Sequence, residues 1–228
     1  MWIAAFDHIL DAARTRHGAA ALEARLPQPT TPDELRATPD DRYLSQMSRR
    51  IFRAGLKHSL VDAKWPAFEE VFYGFDPRRV RAMPDEAMEA LLADARLIRH
   101  WGKLKAVRDN AAAMLDVAAA HGSFAAWIAG WPGEDIVGLW ETLAKQFSQM
   151  GGNSGPSFLR MVGKDTFILT PSVVAALRHW GAAVALGAAP PKNRQDRAQV
   201  QACFNVWAAE SGLPVSRLSL ILACSIED

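Results

Sequence analysis

Cysteine is almost missing from this chain: Cys203 and Cys224 are the only two in 228 residues, far apart and in no CxxC pair. That excludes a disulfide framework. Without clustered histidines it also excludes a zinc site of the usual four-ligand kind. Both thiols are expected reduced and buried. Long apolar runs are missing too, and none reaches the roughly 18 residues that span a bilayer. The opening MWIAAFDHILDAARTRHG carries Asp7 and Asp11 inside its apolar pattern. It has no basic start followed by a clean apolar stretch, so it does not read as a signal peptide. The expected location is the cytoplasm. A surplus of positive charge is missing as well: 26 Lys and Arg face 25 Asp and Glu, a net charge of +1. Indiscriminate nucleic-acid binders are usually far more basic. Strand alternation is also absent, with Phe167–Leu169 the one short extended candidate. There is no internal repeat and no low-complexity tract.

About half of the residues are apolar, enough for one or two compact lobes with a real core. The apolar positions recur at three- and four-residue spacings, which predicts an all-α fold of many short helices with proline at helix starts. The first helical pattern covers residues 2–24 and is interrupted by Gly18. Pro27, Pro29 and Pro32 then mark a connector, with a possible helical turn at Pro32–Arg36. A strong helix is predicted from Asp41 to about Leu60, carrying Tyr43, Leu44, Met47, Ile51, Ala54 and Gly55 on one face. Trp65-Pro66, Asp76-Pro77 and Pro84-Asp85 each read as the start of a further helix. Lys103–His121 reads as a long helix ended by Gly122, and Ser123 as the cap of the next. Residues 182–193 read as a flexible connection, Arg194–Ser211 as an amphipathic helix, and Pro214 as the start of the last.

Charge is distributed unevenly. Arg49, Arg50, Arg53, Lys57 and His58 form a block without an acid. Arg96, Arg99, His100, Lys103, Lys105 and Arg108 form a second one. A local basic face on a nearly neutral protein suits a specific DNA contact. Solvated helix surface is the plainer reading of any single Lys or Arg.

Between the predicted helices at Glu134–Met150 and from Pro156 lies Gly151-Gly152-Asn153-Ser154-Gly155. A glycine-rich tip between two helices can leave backbone N–H groups free to bind phosphate. An ordinary turn between core helices is the competing reading. The following helix opens on Thr170 as N-cap with Pro171 behind it.

Several stretches carry a resemblance: Ala54-Gly55-Leu56, Phe75-Asp76-Pro77 with Val80 and Ala82-Met83, Leu97-Ile98-Arg99-His100, Gly102-Lys103 with Asn110-Ala111, and Ser157-Phe158 with Gly163. In order and spacing they resemble the bacterial DNA-3-methyladenine glycosylase I family of the helix-hairpin-helix DNA glycosylase superfamily. The resemblance covers Tyr43 to about Val174. It implies a two-lobed helical fold, with an N-terminal helix and connector (1–40), a glycosylase-like core (41–183) holding the hairpin at about 145–163, and a helical extension (184–228) packing on that core. It implies a monomer that bends double-stranded DNA, flips out N3-alkylated adenine and hydrolyses its glycosidic bond. No cofactor and no membrane are implied.

The resemblance points to Tyr43, Met47, Arg50, His58 and Trp65 as base-pocket candidates, and to Gly151, Gly152, Asn153, Ser154, Gly155, Ser157, Arg99 and Lys103 as DNA contacts. Three departures stand against it. Arg50 occupies the position of the family's base-contacting Glu, and His58 that of its stacking Trp. The zinc ligands are replaced, with Ser172 in the place of a histidine. Nor is there an acid in Leu169–Ser172, where the superfamily often has its catalytic Asp. Asp165 is the nearest, and it reads as a turn residue. A non-catalytic protein that binds damaged or bent DNA is therefore the alternative expectation.

Overall fold

The structure, a computed structural model, describes residues 4–181, 186–187 and 189–227. The expected connection at 182–193 lies partly outside the described residues. Among those described, every regular element is a helix and none is a strand. In chain order they are α1 (Phe6–His17), α2 (Ala19–Glu23), α3 (Pro32–Ala37), α4 (Asp40–Arg53), α5 (His58–Val71), α6 (Pro77–Arg81), α7 (Asp85–Ala90), α8 (Trp101–His121), α9 (Phe124–Gly130), α10 (Ile136–Gln146), α11 (Ser154–Met161), α12 (Pro171–His179), α13 (Arg194–Ser211) and α14 (Val215–Cys224).

The short polar signals act where the sequence places them. Gly18, at φ +78°, separates α1 from α2. Thr31 caps α3 and Glu34 returns the bond to the Thr31 N–H, a reciprocal capping box. Asp76 caps α6, Ser123 caps α9 and Thr170 caps α12. Asn193 caps α13, and Gly212, in the left-handed region, ends it.

Two helix boundaries differ from the sequence expectation. The long helix from Asp41 toward Leu60 stops at Arg53, and a new one begins at His58. The break falls on Gly55, whose φ of +76° is cheap only for glycine. A Cβ built there meets nothing within 4 Å, so the glycine serves the turn and not a close helix approach. Trp65-Pro66, in turn, starts no helix. Pro66 sits inside α5, where proline removes one hydrogen bond of the ladder.

The chain divides into two compact units. One comprises residues 31–131 and 140–164. Here α8 is the central element, packed against α4, α6 and α9. Its buried face carries Leu104, Ala106, Val107, Ala111 and Met114. From α4 come Tyr43, Leu44, Met47, Ile51 and Phe52, all at most 1 % exposed. Burying each such side chain is worth roughly 1.5–3 kcal/mol. Asp40 joins two elements of this unit: its carboxylate accepts the N–H groups of Phe124 and Ala125 at 3.0 and 2.9 Å. It thus satisfies orphan donors at the start of α9.

The other unit comprises residues 4–30, 132–139 and 165–227. In it α14 packs against α1, α12 and α13. Phe167 stacks on Phe204 with ring centroids 4.2 Å apart, and the Trp207 indole donates to the Ala4 carbonyl at 3.0 Å. Cys203 and Cys224 are buried thiols in this unit that form no disulfide, as their scarcity suggested.

Candidate nucleic-acid interface

The hairpin forms between α10 and α11 in the unit of residues 31–131 and 140–164. Phe147 and Met150 bury their side chains, while Gly151, Gly152 and Asn153 are exposed. Gln149 and Gly152 both take φ of +60° to turn the chain. Within the tip, the Ser154 N–H donates to the Gly151 carbonyl at 3.1 Å, and the Gly155 N–H to the Met150 carbonyl at 3.2 Å. The N–H groups of Gly151 and Gly152 donate to no group among the described residues.

Two side chains hold this tip against α8. Asn110, fully buried, accepts the Ser148 N–H at 2.7 Å and donates to the Ser148 carbonyl at 3.1 Å. The Gln149 carboxamide donates to the Gly102 carbonyl at 2.7 Å. Neither was among the candidate residues. A lone Asn on the buried face of a long helix is the one sequence signal that could have found the first. For the second there was none.

Of the expected DNA contacts, the exposed tip glycines, Asn153 and Arg99 present surface, and Ser157 is part-exposed. Gly155 does not. It is buried, its N–H is used inside the turn, and an added Cβ would lie 3.2 Å from the Met150 carbonyl oxygen. Ser154 likewise spends its N–H within the tip. Lys103 is also corrected. It is buried, and its ammonium donates to the Ala54 carbonyl at 2.7 Å and the Phe52 carbonyl at 3.3 Å. It closes the C-terminal end of α4, where carbonyls lack partners and the helix dipole favours a cation. Burial first and the Arg50 charge second push its pKa below the ordinary lysine value.

The base-pocket candidates separate in the same way. Tyr43 is fully buried, its hydroxyl donating to the Leu35 carbonyl at 2.8 Å and its ring set edge-on to Phe124. Met47 is fully buried too. Trp65 stacks on Phe68 and Phe75, at centroid distances of 5.0 and 5.4 Å, and its indole N–H donates to the Ser45 hydroxyl. These three are core residues of their unit and offer no free face to a base. The helical period that grouped them with a pocket is the period of a buried stripe. His58 is exposed at the first position of α5.

Arg50 is part-buried in a basic cluster. Its neighbours Arg49 and Arg53 both reach Asp62: the Arg49 Nε donates at 2.9 Å, and Arg53 donates to both carboxylate oxygens at 2.7 Å. The hydrogen bond from Arg53, ahead of that from Arg49, holds Asp62 below the ordinary carboxylate range. Arg50 itself has no acid partner among the described residues, and its Nε is buried without an acceptor. Beyond the cluster, the turn after α4 exposes Gly55, Leu56 and Lys57.

The first acid after the hairpin in sequence is engaged elsewhere. Asp165 accepts the N–H groups of Val215 and Ser216, both at 2.9 Å, and so caps α14. That agrees with its reading as a structural residue.

Similarity to known proteins bears on this arrangement. DNA-3-methyladenine glycosylase 1 of Escherichia coli (strain K12) is 42 % identical over 65 residues, which is 28 % of this chain and 35 % of that protein. DNA-3-methyladenine glycosylase of Haemophilus influenzae is 36 % identical over 63 residues, 28 % of this chain and 34 % of that one. The chain thus spans about a third of the length of the curated relatives it matches. Among solved structures, 3-methyladenine DNA glycosylase I from Staphylococcus aureus superposes with a TM-score of 0.50 at 18 % identity, over 80 % of this chain and all of that one. A 3-methyladenine DNA glycosylase I variant in complex with 3-methyladenine gives 0.50 at 19 %, over 75 % of this chain and 92 % of that one. At such identities the likeness speaks for the all-α fold. The sequence model of the methyladenine glycosylase family matches residues 36–151, just over half of the chain. This stretch runs from α3 through the basic cluster and Asn110 to the first glycine of the hairpin, and the chain belongs to the methyladenine glycosylase family.

Proposed function

We propose that the protein is a DNA N-glycosylase of base excision repair, which turns N3-alkylated adenine out of the duplex and hydrolyses its glycosidic bond. The observation that carries this reading is the hairpin: the Gly151 and Gly152 N–H groups are exposed and without acceptors, on a tip that Asn110 and Gln149 hold in place. Such donors suit backbone phosphate without adding net charge, in keeping with a chain at +1. Leu56 follows Gly55 in the exposed turn and is 37 % exposed. A solvent-facing apolar side chain beside cationic Lys57 suits a wedge between base steps.

The chemistry asks little of the protein. An alkylated adenine is cationic while attached to the sugar and leaves as a neutral base, so water attacks a carbon whose leaving group is already activated. Positioning and exclusion of competing water then do most of the work. This is compatible with an Asp165 that is engaged as a helix cap.

One observation favours a second reading, in which the scaffold binds damaged or bent DNA without cleaving it. Arg50 stands unpaired where a cationic base would be repelled, and Tyr43, Met47 and Trp65 are closed into the core. Single-turnover incubation with methylated duplex decides between the two. Released 3-methyladenine and abasic sites are expected. Tight binding with no released base would establish the binder instead.

A further inference from the structure

The least explained charge in the molecule is Arg50. Four cations, Arg49, Arg50, Arg53 and Lys103, gather at the C-terminal end of α4, and Asp62 is the one acid among them. Both Asp62 oxygens are taken by Arg49 and Arg53. The Lys103 ammonium is spent on the Phe52 and Ala54 carbonyls. Arg50 is left with a buried Nε that has no acceptor and with no ion pair among the described residues. A part-buried guanidinium without a partner is costly, and a ligand that supplies an acceptor offsets that cost.

We propose that Arg50 receives a backbone phosphate of the bound duplex. The inference rests on the DNA-binding reading above. Three features favour phosphate over a base edge. The cluster has an excess of three positive charges, which a full negative charge reduces to two and a neutral carbonyl leaves unchanged. The guanidinium fork matches two phosphate oxygens. The exposed Lys57, four residues past the end of α4, adds a further cation close by in the chain. The arrangement also answers the objection that Arg50 would repel a cationic base. With a phosphate seated on it, Arg50 no longer presents an unpaired charge to the lesion.

The test is the salt dependence of binding by the full chain, on an undamaged duplex and on one with a stable abasic-site analogue. For Arg50→Gln the slope of log K against log salt should fall by about 0.9, with affinity about ten-fold weaker on both duplexes alike. Arg50→Lys, which keeps the charge and loses the fork, should restore the slope and only part of the affinity. A thermal melt of each variant separates loss of fold from loss of contact. If Arg50→Gln does not fold, Arg50→Lys and single methylphosphonate linkages in the DNA carry the test: neutralising one linkage should weaken wild type more than Arg50→Lys. An unchanged slope, with affinity lost on the lesion duplex alone, would assign Arg50 to the base and overturn the proposal. So would an Arg50-dependent rise in Tm with inorganic phosphate alongside an unchanged DNA slope, since the site would then serve a free anion. Wild type that binds no DNA at any salt ends the glycosylase reading together with this one. Wild type that binds, with Arg50→Gln showing the same slope, ends this one alone.

Discussion

Asn110 grips the backbone of Ser148 in both directions, accepting its N–H at 2.7 Å and donating to its carbonyl at 3.1 Å. A side chain in the middle of α8 thereby dictates the path of the chain into the hairpin. The carboxamide is the one short neutral group that pairs with both the N–H and the C=O of a single residue. Asn110→Ala removes both bonds and leaves a cavity. It is expected to cost about 2 kcal/mol of stability, read from urea unfolding, and to speed amide exchange across 147–153. Asn110→Asp should be no milder, because its second oxygen then faces the Ser148 carbonyl.

The two tip glycines give a contrast. Gly151 has no positive φ and open space at its Cβ position, whereas Gly152 sits at φ +60°. Gly151→Ala should leave Tm and DNA affinity close to wild type. Gly152→Ala should lose about 1 kcal/mol through left-handed strain. Equal effects at both positions would contradict this geometry.

Lys103 holds the end of α4 and not the DNA. Lys103→Ala strips the Phe52 and Ala54 carbonyls of their donor in a buried setting. A loss of about 2 kcal/mol is expected. Among molecules that remain folded, the salt slope of DNA binding should stay as in wild type, unlike that of Arg50→Gln.

Asp165 should behave as a cap. Asp165→Ala exposes the Val215 and Ser216 donors of α14 and is expected to cost about 1 kcal/mol. Asp165→Asn, which still accepts, should cost less. Base release per folded molecule should be unchanged in both, and a thousand-fold drop in the single-turnover rate would make Asp165 a catalyst after all.

Tyr43 predicts an alkaline limit. Its phenol is pushed up to about 12, by burial first and by the Asp40 charge second. The unfolded chain loses this proton near pH 10, so the folded state binds it more tightly. Its contribution is complete below about pH 10 and is lost as pH rises toward 12. Urea midpoints measured across that window should fall for wild type and fall less steeply for Tyr43→Phe.

Much of the fold was legible because the deciding interactions are local. Asp76, Ser123 and Thr170 cap helices within three residues of themselves, and a linear reading sees them, whereas Thr31 and Asn193 cap theirs in the same way at positions that reading passed over. Gly55 shows the limit: a helix-period stripe continues across it, yet its left-handed φ ends α4 about two turns earlier than the stripe suggests. Tyr43, Met47 and Trp65 show another. An aromatic or Met at helical spacing looks the same whether it faces a pocket or a core, because periodicity reports only the face and not what covers it.

By itself the sequence determined the all-α class, the family stretch, several of the caps and the glycine tip, all set by side chains acting on their own turn of chain. Only the tertiary structure decided which charges are free. Arg49, Arg50, Arg53 and Lys103 are interchangeable cations on paper. Asp62 from α5 and the open carbonyls at the end of α4 claim three of them, and Arg50 is left over because, among the described residues, no acceptor from another element comes within reach.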